Sequence, residues 1–209
     1  YDDVYKGCYE EPFNPIEEGV MPDPDDVVDV EDVVDDVPKG SLNSGLTKAK
    51  VKEIVDIPKG SRPDPSTYLS KEYIDAHLEI FDNGVSVIQT EWAYNRYSQI
   101  NGFVGVPDDN TLFVMPKDLC DNVIKGANRD ISIIERKLGF PDGYFSEGGG
   151  LVRIDVENIS EVNLRMPSGN ETGANKLWLP GGYTSGGVPE AVTDTIPLSN
   201  TNVTKIEVD

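Results

Sequence analysis

Apolar residues recur at helical spacing in three stretches. Over residues 71–81, Tyr73, Ile74, His77, Leu78 and Phe81 fall on one face, at i, i+1, i+4, i+5 and i+8. Ser70 stands ahead of them as a helix cap. Pro116 opens a second helix with the stripe Leu119, Cys120, Val123 and Ile124. A third covers residues 130–138, with Ser132 and Glu135 at capping-box spacing and Gly139 as its stop. Runs of strand character fall at 85–89, after the turn Asp82, Asn83 and Gly84, and at 111–115, after a turn at 107–110. Further strands are expected at 151–156, 162–166, 190–194 and 203–208. Helices early and strands late, without βαβ alternation, predict an α+β fold: short helices, then a small mixed or antiparallel twisted sheet.

The first forty residues follow neither period for long. They run through PFNPIEEG and MPDPDD to VVDVEDVVDDV. Valines and mutually repelling acids both oppose an isolated helix, so residues 1–40 read either as a solvated tether or as a docking arm for a basic partner, and residues 1–56 are expected to be an extended acidic arm and linker, poorly ordered alone. Prolines at 58, 63 and 65 mark the linker, and residues 57–209 are expected to form one compact domain. The length of 209 residues suits one domain plus an arm, and 20 Gly with 15 Pro favour turns and short strands over a bundle.

Charge sharpens this division. Of the formal −20, residues 1–40 contribute 14 acids against Lys6 and Lys39, leaving 24 acids against 16 bases in the body. A broad nucleic-acid-binding surface is therefore not expected. Two cysteines, Cys8 and Cys120, give neither a disulfide framework nor a Cys-rich zinc site; whether they pair is open. No run approaches the roughly 20 apolar residues of a membrane span, and the start lacks a signal-peptide pattern. Opening at Tyr1 without Met suggests a piece of something longer.

Candidate chemistry concentrates at 165–190. This glycine-rich excursion carries Arg165, Asn170, Glu171, Asn175, Trp178, Tyr183 and Ser185, side chains suited to holding a polar ligand. The competing reading is a surface loop with Trp178 as its core anchor. His77, the one histidine, excludes paired-histidine ribonuclease chemistry and reads as a core residue with a satisfied hydrogen bond. No metal is predicted. In the tract 91–97, Arg96 stands among Trp92, Tyr94 and Tyr97, as half of a nucleotide site or as the exposed side of an amphipathic helix. The glycine runs at 148–150 and 181–182 lack the phosphate-loop spacing and read as turns.

The phrases IPKGSRPDPSTYLSKEYIDAHLEIFDNG, LFVMPK, LGFPDG and LRMPSGNETGANKLWLPGGYTSGGVPEAV resemble the C-terminal effector domains of bacterial polymorphic toxins of the YD-repeat and LXG type. The resemblance covers residues 57–209. It implies a module made in a bacterial cytoplasm, exported or delivered as the end of a larger protein, and neutralised by a cognate immunity protein. The order of an Arg-bearing aromatic segment, an LFVMP strand and a late Glu190 is similar to ADP-ribosyltransferase and NAD-glycohydrolase modules. NAD is then the implied substrate. Glu190 and Arg96 become the implied catalytic residues, and Tyr97, Arg165, Asn170, Asn175, Trp178 and Tyr183 the substrate-binding ones. A carboxylate would stabilise the positive charge that develops on the sugar as the nicotinamide bond breaks. The chain lacks a Ser-Thr-Ser strand motif and a Glu-x-Glu pair, which weighs against transferase activity in particular. A histidine-independent nuclease toxin and a non-enzymatic interaction module, virion-associated or exported, are the alternatives.

Overall fold

A computed structural model describes residues 42–146 and 149–209. The acidic arm, its docking role and Cys8 lie outside the described residues, while Cys120 is free and buried. Among the described residues, no helix is long and apolar enough to cross a membrane.

The fold is α+β. Helix α1, Lys48–Val55, is capped by Thr47, whose side chain accepts from the Lys50 amide. It lies ahead of the proline-marked segment and packs onto the domain through Val51 and Ile54, so the packed fold begins before Ile57. Helix α2, Lys71–Glu79, starts where Ser70 accepts from the Tyr73 amide and buries Tyr73 and His77. Strand β1, Val85–Thr90, follows the turn. Thr90 then caps a helical segment made of α3 (Glu91–Ala93), a π-helical stretch (Tyr94–Ser98) and α4 (Gln99–Asn101).

Strand β2 is Phe103–Val104, β3 is Leu112–Pro116 and helix α5 is Lys117–Ala127. Helix α6, Ile131–Leu138, is capped by Asp130, which accepts from the Ser132 amide and hydroxyl. The expected capping box does not form. Glu135 turns inward instead, and its carboxylate accepts from the Gly143 and Phe145 amides, fixing the chain after the helix. Strand β4 is Leu151–Val156, β5 Ala191–Thr193, β6 Ile196–Pro197 and β7 Asn202–Ile206.

Five strands form one antiparallel sheet in the order β5-β3-β1-β4-β7, and β2 pairs with β6 beside it. The strand expected at 162–166 is not one. Asn163 takes φ 53°, outside extended geometry, and only Arg165 bridges the sheet, at Val192. Strand alternation sorts the core into two layers. Val85, Val114, Ile154 and Val156 pack with Phe81 and Val104 on one side. On the other, Ile88, Met115 and Leu151 pack under α5 and α6 with Cys120, Val123 and Ile134.

Candidate functional site

On the α5–α6 side of the sheet, β1 and β3 contribute Ser86, Ile88, Phe113 and Met115 to the floor of a cavity of about 90 Å³. Ser86 and Met115 are cross-strand partners, so they share this face. Leu138, Gly139 and Phe140 at the end of α6 form one wall. Ala174, Asn175, Leu177 and Trp178 from the glycine-rich excursion form the other, with Thr184, Ser185 and Glu190 also lining it. An apolar cavity of about 150 Å³ holds a benzene molecule, so this interior takes part of a ring through its open side and cannot enclose a dinucleotide.

The excursion reaches the cavity because its polar groups are spent on the backbone. Asn170 Oδ1 accepts from the amides of Gly60 (2.8 Å) and Arg62 (3.0 Å), and its Nδ2 donates to the Arg62 carbonyl (2.9 Å). Lys59 Nζ donates to the carbonyls of Thr172 and Ala174. Arg62 donates to the Gly169 and Ile57 carbonyls and lays its guanidinium 4.7 Å from the centroid of Trp178. Glu171 accepts from Ser168 N, Ser168 Oγ and Gly169 N. Asn175 Nδ2 donates to the Gly139 carbonyl, tying the excursion to the end of α6. Gly173 lets the excursion approach Phe113 closely, since a Cβ there would stand 3.1 Å from the ring.

The far end is held from α2. Tyr73 donates its hydroxyl proton to the Gly181 carbonyl. His77, fully buried, meets the Glu190 carbonyl with Nε2 at 3.0 Å, and since that partner only accepts, Nε2 carries the proton. His77 Nδ1 is buried without a partner, and burial lowers the imidazole pKa. Gly182, at φ +80°, lies so close to His77 that a Cβ would stand 2.6 Å from Nε2. These contacts fix the backbone on which Glu190 is mounted.

Glu190 is the chemically distinct group. Its carboxyl has no hydrogen-bond or ion-pair partner among the described residues. Burial, reinforced by the negative charge of Glu171, pushes its pKa up to about 8. At neutral pH it is therefore mostly protonated. Trp178 is 5% exposed and its Nε1 is buried without a partner.

Of the residues expected to form the site, Asn175, Trp178 and Glu190 come together. Asn170 is a bolt holding the excursion, and Tyr183 accepts the Leu42 amide on its hydroxyl and stands edge-on to His77. Arg165 pairs with Asp194 at 2.9 Å. The expected convergence of Arg96 and Tyr97 with Trp178 is not met. Gln89 points to the sheet face opposite Ile88, and its Nε2 donates to Ser98 Oγ, which draws the π-helical segment under that face. There Arg96 lies 5.6 Å from the Trp92 ring and 5.8 Å from that of Tyr97, and neither Arg96 nor Tyr97 lines the cavity.

Phe113 and Phe140 also line the cavity, though in the sequence they stand out only as part of a strand and of the LGFPDG phrase. The signal for Phe140 was Gly139, whose φ of 70° ends α6 and turns the next side chain inward. Among the described residues, no three of His, Cys, Asp and Glu cluster as a metal ion would require. The chain matches no protein-family model, and no curated protein matches it in sequence.

Proposed function

We propose that this domain is a toxin-type effector module whose working site is the Trp178–Glu190 cavity, and that it acts on a small ring-bearing substrate, NAD being the one the resemblance supplies. The observation that carries the reading is the unpartnered Glu190 carboxyl set among Trp178, Phe113 and Phe140. Once its proton has passed to solvent at the open side of the cavity, the Glu190 carboxylate would stabilise the positive charge that develops on the sugar, in a low-dielectric setting. The cavity would take part of the nicotinamide ring through its open side, with the rest of the dinucleotide outside it. Arg96 has no part in this version of the site. Release of nicotinamide from NAD by the purified full chain tests the proposal: Glu190→Gln is expected to abolish it and Arg96→Ala to leave it intact. An inactive wild-type protein, or one equally impaired by both changes, would sink the reading.

A second reading is favoured by a specific feature. None of the lining residues is Lys or Arg, so nothing in the cavity pairs with a phosphate. A non-enzymatic binding module fits this lining equally well, and it predicts ligand uptake without turnover in the same assay. A nuclease needs cations along the phosphate track, and this cavity gives that alternative no support. The cognate immunity protein that the effector reading implies would be recognised by its protection of the active module.

A further inference from the structure

We infer that the cavity is a binding site for a small organic cation of diffuse charge, an N-alkylated ring or a methylated ammonium head, held between the rings of Trp178, Phe113 and Phe140 and the ionised carboxylate of Glu190. The inference rests on the same cavity as the reading above and is independent of turnover. Three aromatic side chains line it, and ring faces attract cations through their quadrupole, most strongly when the cation sheds its water easily. An alkylated cation sheds water readily and offers no N–H donors that would need partners. The one acidic side chain lining the cavity has no counter-ion among the described residues. No lining residue is cationic. Arg62 lies against Trp178 but is not part of the lining.

The surrounding charges act in the same direction. Glu171 is the charge that acts on Glu190, and its three local donors hold it in place. Lys59 and Arg62 interact with Glu171 and are occupied with backbone carbonyls. His77 meets Glu190 only at the main chain and is held neutral by burial. The formal charge of −20 draws cations toward the molecule at low ionic strength. Binding a cation here requires Glu190 to give up its proton, so affinity rises with pH through the range where this carboxyl titrates, near 8.

The test compares N-methylpyridinium with toluene, its neutral isostere, by nuclear magnetic resonance titration of the full chain, with tetramethylammonium as the ring-free cation. At pH 9 the pyridinium is expected to bind about tenfold or more tighter than toluene, and to weaken by about tenfold at pH 6 while toluene does not. Glu190→Gln should erase both the preference and the pH dependence. Glu190→Gln keeps the shape of the side chain, a melting curve checks that the variant folds, and the wild-type pH series stands without it. Tighter binding of the pyridinium than of tetramethylammonium assigns the site to a ring cation, and the reverse order to an ammonium head. Equal affinity for the isosteres at pH 9, or a cation preference that survives Glu190→Gln, would overturn the inference. Nicotinamide release from NAD is read separately, so loss of the catalytic reading and loss of the cation site give different results.

Discussion

Two aromatic and arginine-bearing regions of this chain look alike on paper and are used in opposite ways. In the 165–190 excursion the polar side chains turn into their own surroundings, and the arginine beside the tryptophan, Arg62, donates to carbonyls at 57 and 169. In the 91–101 helical segment Arg96 stays exposed, Trp92 is 49% exposed and Ile100 76% exposed. The first region spends its hydrogen bonds on holding irregular backbone and leaves one carboxyl unpaired beside a cavity. The second is regular enough to satisfy its own backbone, and its exposed Trp92, Arg96 and Ile100 line no part of the cavity. A pocket is thus found where loop geometry is over-determined, not where exposed functional groups are most numerous.

Glycine substitution should separate the regions most sharply. A Cβ at Gly186 would overlap the Arg136 carbonyl and the Lys137 Cα, backbone atoms at the end of α6 that cannot turn aside. Gly186→Ala is expected to cost about 4 kcal/mol or more, or to prevent folding, as read by urea denaturation. Gly102 closes the other segment at φ +78° with nothing within 4 Å of a Cβ, so Gly102→Ala should cost only about 1 kcal/mol of backbone strain. Comparable losses at the two sites would refute the contrast.

The pH dependence of stability is the next largest effect. Glu190 has a folded pKa raised to about 8 from an ordinary 4.5, so the folded state binds the extra proton and stability falls as pH rises between those values. His77 acts with the opposite sign. Its folded pKa is lowered from 6.5, so the unfolded state takes the proton first and stability falls only as pH drops below about 6.5. Between pH 6.5 and 9 Glu190 acts without that opposition, and wild type should lose roughly 2 kcal/mol relative to Glu190→Gln, whose own profile lacks this slope. Parallel profiles for the two proteins would mean that the carboxyl is solvated and the cavity electrostatics are misassigned.

Asn170→Ala removes three hydrogen bonds that clamp the 60–62 backbone, and a loss of about 1.5 kcal/mol is expected in the same denaturation assay. The reason this role was not legible in the sequence is distance along the chain. Asn170 and its partners are 108 and 110 residues apart, and an asparagine aimed at remote backbone has the same local text as one aimed at a ligand. Where the information is local, the reading holds: Ser70 caps α2, β4 spans 151–156 as its alternation requires, and Gly139 ends α6. Where local and tertiary signals compete, it slips. Asn163 breaks a strand whose apolar residues alternate correctly, and α1 is missed because its apolar residues, Ala49, Val51, Ile54 and Val55, are scattered among four charged ones, while Ile54 finds its partners Ala174 and Trp178 on the distant excursion. Trp178, Asn175 and Glu190 were recoverable as a group because they sit on one excursion. The partners that complete the cavity, Phe113 and Phe140, come from elements whose packing had to be known first.

The smallest effect tests the exposed half of the comparison. Arg96 lies over Trp92 and Tyr97 at cation–π range, and its side chain is exposed. Such contacts at the surface stabilise by roughly 0.5 kcal/mol, because water competes for the guanidinium and the long side chain must be ordered to make them. Arg96→Ala should therefore shift the denaturation midpoint barely above error and leave ligand uptake at the Glu190 cavity unchanged. Since Gln89 and Ser98 hold this segment against the opposite face of β1, any change at the cavity would have to pass through the sheet itself. A variant that folds normally but loses binding there would reveal that the two regions communicate and that the separation drawn between them is mistaken.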